Sequence, residues 1–306
     1  MHLLLANPTS GGGKGERIKA KVTRGLLEKE IQFLDISGSS YESATVSLES
    51  ALKLHPEAES LILVGGDGLV HLAIQKLAGT GIPVLLVPAG TGNDLARALG
   101  LDLSQPENSL ELLQAKSPTS IDLGISNGEY FADILSTGFD SVVNERANRM
   151  RWIRGRLKYN LAILLELPIF RPRQYHFQID GETFEIDAML IAIANGQSYG
   201  GGMNVCPDAE IDDGVFDVMI LEPVSKFEFL RVFPKVFKGL SKFEFLRVFP
   251  KVFKGQHVTH PRVRMLRGKR IKVEAEAIAY SDGERMGPLP ILAEIVPNAL
   301  RIWRQR

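Results

Sequence analysis

The chain has 306 residues, which is enough for two domains that each bury a core. Hydrophobic residues make up 44% and charged residues 24%, with 36 basic and 36 acidic side chains, so the composition excludes a disordered chain and a globally basic nucleic-acid binder. The single cysteine, Cys206, excludes an internal disulfide and a multi-cysteine zinc site, and it indicates a reducing compartment, with the cytoplasm as the default.

Up to residue 122, short apolar runs alternate with stretches typical of helices, which predicts a parallel sheet covered by helices. The runs contain no polar interruptions, as expected for strands buried on both faces, and lie at 3–6, 31–36, 61–64 and 84–87. The predicted helices between them lie at 15–29, 41–54, 69–78 and 93–99. We therefore predict an α/β domain over residues 1–123.

Beyond residue 122 the sequence changes to segments of period two that are separated by turns, which predicts a mainly antiparallel β-sandwich over 124–290. The predicted strands lie at 121–126, 129–135, 174–179, 183–194, 215–221 and 270–279, with a helical interruption at 144–167. The sequence leaves open whether the last apolar run, within 291–306, returns to the first domain. The longest apolar stretch, 161–170, is too short to span a bilayer, so any membrane contact is expected to be peripheral.

A stretch of 15 residues occurs twice without a change, at 225–239 and 241–255. Repeat architectures need at least three diverged units, so this pair is not a solenoid. It is interpreted as a recent tandem duplication or an error in the record. One copy is expected to fill the native element and the other to be an insertion.

Three glycine-rich turns each follow a predicted strand and precede a predicted helix, a position where backbone N–H groups and the helix dipole can hold phosphate. The first turn, 7–15, is neither a Walker A loop nor a dinucleotide fingerprint. Taken alone, it is equally compatible with a flexible connector. Its candidate contacts to the nucleotide are Asn7, Pro8, Thr9, Ser10 and Gly11.

The second turn places three glycines around one carboxylate, which costs backbone entropy and is hard to explain as a mere connector. Its residues are Gly65, Gly66, Asp67 and Gly68. The glycine N–H groups are predicted to approach nucleotide phosphates, with Asp67 holding Mg²⁺. In the third turn, the candidate contacts are Gly90, Thr91, Gly92 and Asn93. A capping role for Asn93 or Asp94 is the alternative there.

Because the three turns follow parallel strands, they are expected to converge at one sheet edge and to hold the nucleotide of a phosphoryl-transfer enzyme. Their order and wording resemble the catalytic domain of the diacylglycerol kinase-like lipid kinases, which include bacterial lipid kinases and the sphingosine kinases. The resemblance continues at 136–140, 194–196, 199–203, 206–209, 212–217 and 282–284. The chain departs from the commonest bacterial pattern after Gly68, at Leu69, His71 and Leu72.

The resemblance implies an ATP- and Mg²⁺-dependent kinase of diacylglycerol or a related lipid. It assigns Glu284 as the acceptor of the hydroxyl proton, and Asp282 as its assistant or as a magnesium ligand beside Asp67. Without the resemblance, the segment 282–284 reads as a tight turn. The resemblance also implies a nucleotide contact at Ser37 and a structural magnesium site. In that site Asp213 gives a carboxylate and Glu210 and Val215 give backbone oxygens, and an acidic hairpin turn is the alternative.

Residues 225–272 carry fourteen Lys or Arg residues against Glu228 and Glu244 alone. Phenylalanines interleaved with these basic residues suit contact with an anionic membrane surface, where a lipid substrate would be found. A packed helix with a solvated basic face is equally compatible with the pattern.

We therefore expect a cytoplasmic, peripherally membrane-associated lipid kinase without nucleic acid as a partner. Two alternatives stay open at this point. One is a kinase of a soluble substrate, similar to NAD kinases, and the other is a lipid-binding relative that has lost catalysis. Two short matches to the hydrolase nucleophile elbow, at 124–128 and 196–200, do not lead from a strand into a helix, which argues against a serine hydrolase.

Overall fold

The computed structural model describes residues 1–38, 40–150, 156–225 and 256–305. The predicted mixed α/β architecture is confirmed, since a sheet with a parallel N-terminal part is followed by a separate antiparallel sheet. The parallel part contains β1 (His2–Ala6), β2 (Phe33–Asp35), β3 (Leu61–Gly65) and β4 (Val84–Pro88). The strands β3 and β4 are buried at every position, which explains their unbroken apolar sequences, whereas β2 lies at the sheet edge and is partly exposed.

Four helices follow these strands: α1 (Ser10–Glu28), α2 (Tyr41–Leu54), α3 (Asp67–Leu77) and α4 (Asp94–Ala98). In α1, an apolar stripe with a spacing of four residues, Ile18, Val22 and Leu26, packs into the core. Ser40 caps α2 in a capping box with Ser43. A 3₁₀ helix (Pro106–Glu111) and α5 (Leu112–Ala115) then lead into the second half of the chain.

The remaining elements alternate between two sheets. The strands are, in chain order, β5 (Thr119–Ser126), β6 (Glu129–Phe131), β7 (Ile134–Gly138), β8 (Arg173–Ile179), β9 (Glu182–Ala188), β10 (Leu190–Ala194), β11 (Ser198–Tyr199), β12 (Met203–Asn204), β13 (Phe216–Leu221), β14 (Val263–Gly268), β15 (Arg270–Glu274), β16 (Ile278–Ser281), β17 (Glu284–Pro288) and β18 (Ile291–Ile302). Between them lie α6 (Phe139–Arg149), α7 (Arg156–Glu166) and a 3₁₀ helix (Gln256–Thr259).

The last strand, β18, joins the two halves of the chain. It pairs in parallel with β4 through Ile302 and Val84, and it pairs antiparallel with β5 and β15. The first sheet therefore has ten strands, with β5 and β6 attached beside β18 and the order β2-β1-β3-β4-β18-β15-β8-β9 along the main path. Through β18, the parallel part of the first sheet continues without a break into its antiparallel part.

The second sheet has the order β14-β13-β10-β7-β16-β17 and is antiparallel. A core of aromatic and aliphatic side chains joins it to the antiparallel part of the first sheet, and Phe131 and Phe216 stack there with ring centroids 5.7 Å apart. A second core, which includes Phe139 of α6 and Ala162 of α7, packs against the same sheet. The second sheet is thus covered by a buried hydrophobic core on each of its two faces.

Three segments predicted as single strands are divided in the structure. Residues 129–135 split into β6 and β7, residues 183–194 into β9 and β10, and residues 270–279 into β15 and β16. At each division the chain passes from one sheet to the other. The prediction was wrong there because both sheets face shared cores, so the period-two pattern continues across the crossing.

The helical interruption predicted at 144–167 begins earlier, at Phe139, and forms α6 and α7. The interior of the repeat, 226–255, lies outside the described residues, and so does the prediction of a membrane-binding basic surface there. Within the described ranges, no helix combines the length and the apolar character that a membrane crossing requires.

Candidate active site

The three glycine-rich turns touch one another at the carboxyl edge of the parallel strands. A Cβ placed on Gly66 would lie 2.7 Å from the Cα of Gly90, so the second and third turns meet backbone against backbone. A Cβ placed on Gly11 would lie 2.5 Å from the carbonyl oxygen of Ala89, so the first turn meets the third. No larger residue fits at these contacts, and the expected convergence is present.

The first turn is shaped by Asn7. Its Oδ1 accepts hydrogen bonds from the backbone N–H of Thr9 at 3.1 Å and from the Thr9 hydroxyl at 2.8 Å, which is the geometry of an Asx turn. Gly11, Gly12 and Gly13 have φ angles of 58°, 74° and 94°, in the left-handed region. The start of α1 is therefore an irregular turn, at a position where backbone N–H groups can face a phosphate.

Ser37, which follows β2, lies beside the end of β1. Its hydroxyl oxygen accepts a hydrogen bond from the backbone N–H of Ala6 at 3.0 Å, and its own N–H donates to Asp35. The side chain thus supports the strand end from which the first turn departs.

Asp67 links the second turn to the third. Its two carboxylate oxygens accept the backbone N–H groups of Asn93 and Asp94, each at 2.9 Å, at the start of α4. A Cβ on Gly92 would lie only 2.3 Å from Asp67 Oδ2, so this approach requires glycine. Burial raises the pKa of Asp67, the nearby Asp94 carboxylate raises it further, and the two N–H donors oppose the rise.

Asn93 closes the third turn upon itself. It adopts a left-handed conformation with φ of 57°, its Oδ1 accepts the Gly90 N–H at 2.8 Å, and its Nδ2 donates to the Gly90 carbonyl at 3.0 Å. Asparagine tolerates this conformation better than most residues. The side chain holds the loop shape, which leaves the capping of α4 to Asp67.

Asp94 connects the third glycine-rich turn to the second half of the chain. Its carboxylate accepts the backbone N–H groups of Gly201 at 2.8 Å and Gly202 at 2.6 Å, and the Ser198 hydroxyl at 3.2 Å. The two glycines lie in the turn between β11 and β12, and Ser198 begins β11. Sequence reasoning assigned Asp94 only a possible cap and did not find this connection, because no local pattern reveals a partner more than one hundred residues away.

Asp282 precedes β17, and both of its carboxylate oxygens accept hydrogen bonds. Its carboxylate accepts three successive backbone N–H groups, from Ala132 at 2.6 Å and from Asp133 and Ile134 at 3.0 Å. These residues lie at the crossing between β6 and β7. The contacts account for the division of the predicted strand, since the N–H groups of the crossing point to Asp282.

Glu284 begins β17 and is exposed. Its Oε1 would lie 3.8 Å from a Cβ placed on Gly68, in the first turn of α3. A carboxylate from the second half of the chain therefore lies directly beside the second glycine-rich turn. The negative charge of Glu284 also contributes to raised pKa values of Tyr41 and Tyr159, whose main cause is burial.

Asp133 is a buried carboxyl group that sequence reasoning did not identify. Its Oδ1 has no hydrogen-bond partner among the described residues, whereas Asp282 beside it accepts three N–H groups. Burial, and then the charge of Asp282, raises the pKa of Asp133 well above its usual value. Of this pair, Asp133 is therefore the carboxyl group for which burial favours the protonated form more strongly.

The acidic loop between β12 and β13 is closed by ion pairs. Asp213 pairs with Arg267, and its Oδ1 accepts the Val215 N–H at 3.2 Å. Arg267 also lies 3.4 Å from Asp217. Glu210 is exposed, and the described part of the chain contains no group of three or more His, Cys, Asp or Glu side chains arranged to hold a metal ion.

Comparisons with known proteins show which family the chain belongs to. Residues 1–125 match the diacylglycerol kinase catalytic domain, and residues 133–241 and 238–304 match the YegS C-terminal NAD kinase beta sandwich-like domain. A protein of Mycobacterium tuberculosis (strain ATCC 25618 / H37Rv), named diacylglycerol kinase, is 37% identical over 309 residues, which cover 99% of this chain and 94% of that protein. This chain belongs to the diacylglycerol kinase family.

More distant members of the diacylglycerol kinase family cover nearly the same length. The diacylglycerol kinase of Bacillus subtilis (strain 168) is 28% identical over 293 residues, 94% of this chain and 90% of that protein. A crystal structure of a diacylglycerol kinase from Bacillus anthracis has a TM-score of 0.71 at 19% identity and covers 99% of this chain and 96% of the other, which supports the fold.

Each part of the C-terminal match includes one copy of the repeat, and the two parts overlap at 238–241. Leu69, His71 and Leu72, which follow Gly68 in α3, are all buried. A Cβ placed on Gly65 would lie 2.6 Å from the Leu69 side chain, so these two residues pack directly against each other.

Proposed function

We propose that the chain is an ATP- and Mg²⁺-dependent lipid kinase that transfers the γ-phosphoryl group to a hydroxyl of diacylglycerol or a related lipid. The observation that carries the proposal is the approach of Glu284 to Gly68, with 3.8 Å between its Oε1 and the Cβ position of the glycine. A carboxylate beside a glycine-rich helix start combines a proton acceptor with a phosphate-binding surface. Catalysis then takes place in the cleft between the two halves of the chain.

In this proposal the nucleotide lies across the three turns. Backbone N–H groups of residues 7–11, 65–68 and 90–93 face its phosphates, helped by the starts of α1 and α3. The close contacts of Gly66 with Gly90 and of Gly11 with Ala89 hold the turns in one rigid arrangement. Pre-organised N–H groups stabilise the charge of the transferring phosphoryl group without a reorganisation cost.

Glu284 accepts the proton of the lipid hydroxyl. The oxygen of that hydroxyl forms a bond to the γ-phosphorus, the bond between this phosphorus and the β–γ bridging oxygen breaks, and ADP leaves. Asp282 acts through the backbone: its three N–H contacts fix the turn that carries Glu284. It is therefore proposed as a positioning residue.

The donor set near Asp67 fits a magnesium ion that arrives with the nucleotide. Each Asp67 oxygen accepts one N–H and keeps a second lone pair, and magnesium commonly binds one or two carboxylates together with substrate phosphates. When bound, the ion would neutralise phosphate charge. The loop with Glu210, Asp213 and Val215 is assigned no step. In its present arrangement Asp213 pairs with Arg267, and its Oδ1 accepts the Val215 N–H.

A lipid acceptor is supported by the names of the relatives and by the exposed apolar residues of the second half. Tyr159 of α7, Leu165 of α7 and Ile169 just after it are 42%, 45% and 64% exposed. The charge of Glu284 reaches Tyr159, so this surface adjoins the proposed catalytic carboxylate. Peripheral contact with a membrane would bring the lipid hydroxyl to the cleft.

A kinase of a soluble substrate is the second candidate, because residues 133–304 match a domain that is described as NAD kinase-like. The two candidates share the nucleotide site and the carboxylate, and they differ only in the acceptor. The relatives that match over nearly the whole chain are named diacylglycerol kinase, which favours the lipid.

The deciding experiment incubates the purified protein with γ-labelled ATP and Mg²⁺, in parallel with diacylglycerol in mixed micelles, with a total lipid extract and with NAD in the absence of lipid. We expect labelled lipid in the first or second reaction and none with NAD. Labelled NAD alone would support the second candidate. A folded protein that labels no acceptor at any Mg²⁺ concentration would refute both and favour a non-catalytic relative.

A further inference from the structure

One face of α3 lies against the second half of the chain. Gly68, His71 and Gln75 are spaced by three and four residues, so they lie above one another on the same side of the helix. Glu284 faces the first of these positions, and Gln75 binds the backbone of Tyr130 in β6. From Gly68 to Gln75, α3 rises by about 10 Å, and over this length it connects the phosphate-binding turn to the opposite domain.

The contact of Gln75 with Tyr130 is a two-point hydrogen bond. Gln75 Nε2 donates to the Tyr130 carbonyl at 2.7 Å, and the Tyr130 N–H donates to Gln75 Oε1 at 2.9 Å. Nε2 also contacts the carbonyl oxygen of His71 at 3.2 Å. The Gln75 amide thus donates one hydrogen bond to the β6 backbone and accepts one from it, as a neighbouring strand would. These two bonds hold α3 in place against β6.

The same strand leads to the catalytic turn within a few residues. After Tyr130 and Phe131, the N–H groups of Ala132, Asp133 and Ile134 bind the Asp282 carboxylate, and Glu284 follows two residues later. These contacts run from Gln75 through β6 and Asp282 to Glu284, which lies beside Gly68 on the helix that carries Gln75. The chain segments thus form a closed ring. They are joined by hydrogen bonds between side chains and the backbone and by the close approach of Glu284 to Gly68.

His71 lies between Gly68 and Gln75 on this face of α3. It is 6% exposed, and its Nδ1 has no hydrogen-bond partner among the residues that the structure describes. Its backbone carbonyl oxygen accepts from Gln75 Nε2 at 3.2 Å and so helps to orient the Gln75 amide.

We propose that Gln75 is a positioning residue, which sets the place of Glu284 above the second glycine-rich turn and so controls the rate of phosphoryl transfer. This inference rests on the proposed lipid kinase function. The Gln75 side chain does not need to touch the nucleotide or the lipid.

The test replaces Gln75 by Leu, which removes both contacts to Tyr130 at similar volume. We expect kcat to fall by about 10- to 100-fold, because small displacements of a catalytic group have effects of this order. The KM for ATP should stay within about twofold, since the three turns are untouched. The matched control is Lys76→Gln, one residue further along α3, whose partner is Glu49 of α2 and whose loss should leave kcat unchanged.

A further variant makes the outcome decisive. Gln75→Glu keeps an acceptor for the Tyr130 N–H but loses the donor, so its kcat should lie between those of the wild type and Gln75→Leu. It replaces Gln75→Leu as the test if that variant does not fold.

An unchanged kcat in folded Gln75→Leu, or an effect confined to the KM for ATP, would overturn the inference and leave the kinase function intact. A wild-type protein without activity on any acceptor would instead remove the proposed function, and the inference with it.

Discussion

Asp94, at the start of α4, holds the backbone of Gly202 across the cleft, with the Gly202 N–H donating to its Oδ1 at 2.6 Å. Gly201 and Ser198 donate to the same carboxylate. The third glycine-rich turn is therefore attached directly to the turn between β11 and β12. Charge-assisted hydrogen bonds, which are about twice as strong as neutral ones, thus connect the two halves of the chain at Asp94.

Replacing Asp94 by Asn should lower the free energy of unfolding by about 2 kcal/mol, because an amide offers one acceptor oxygen and turns its NH₂ towards a donor. Urea unfolding followed by circular dichroism measures the change. The control is Asp102→Asn, since the Asp102 carboxylate also accepts backbone N–H groups but only within its own exposed loop. Equal losses in the two variants would contradict a special role for the connection across the cleft.

Gly66→Ala should abolish ATP binding at concentrations that saturate the wild type. The new Cβ would lie 2.7 Å from the Gly90 Cα, so the second and third turns must move apart. Gly81→Ala is the control, because Gly81 has φ of 80° and open space around it, and its substitution costs only about 1 kcal/mol of stability. Calorimetric titration with ATP and Mg²⁺ compares them, and normal binding by Gly66→Ala would exclude the proposed packing of the turns.

The free energy of unfolding should depend on pH partly through Asp140, which lies in the first turn of α6. Burial raises the pKa of this carboxyl to about 6. A carboxyl that holds its proton more tightly when folded stabilises the folded state at low pH, and this contribution is lost as the pH rises from about 4 to 6. Asp140→Asn should therefore resemble the wild type at pH 4 and exceed its stability at pH 7 by at most about 3 kcal/mol.

The control for this pH dependence is Asp102→Asn. Hydrogen bonds from Ser104 lower the pKa of Asp102, so its contribution is present at neutral pH and is lost as the pH falls through that lowered pKa. From pH 4 to 7 the difference in stability between this variant and the wild type should thus change little, because the loss occurs at lower pH. A flat difference for Asp140→Asn across pH 4 to 7 would mean that this carboxyl ionises normally in the folded protein.

Arg267 should neutralise the acidic loop that the family resemblance assigns to magnesium. Arg267→Gln leaves Asp213 without its ion pair and Asp217, whose side chain is 8% exposed, without its nearby charge. We expect a lower melting temperature for the nucleotide-free variant and a partial recovery on adding Mg²⁺. The wild type should melt at the same temperature with and without the ion. A large stabilisation of the nucleotide-free wild type by Mg²⁺ would show instead that the loop binds the metal.

Much of the cleft was predictable because it is built from local signals. Glycines after apolar runs indicate the three turns, and α2 begins and ends at the predicted residues, Tyr41 and Leu54. Parallel strands place such turns at one edge, so their convergence follows from the predicted topology. The position of Glu284 beside Gly68 was expected only through the family resemblance, since a short acidic turn has no pattern of its own.

The rest depended on contacts between distant parts of the chain. Asp282 binds the N–H groups at the crossing from β6 to β7, about 150 residues earlier, and this ends a strand that the alternation alone extends. Gln75 looks like an ordinary polar helix residue until Tyr130 lies beside it. Nothing in the sequence around Asp133 indicates that burial and the charge of Asp282 raise the pKa of this residue. Such properties belong to the packed molecule.

The most direct test of the central claim compares Glu284→Gln with the wild type in the labelled-ATP assay with diacylglycerol micelles, together with calorimetric measurement of ATP affinity. Glutamine keeps the size of the side chain but cannot accept the hydroxyl proton. We predict a loss of turnover by at least about 100-fold with ATP affinity within about twofold of the wild type. Turnover at the wild-type rate would contradict the assignment of Glu284 as the proton acceptor.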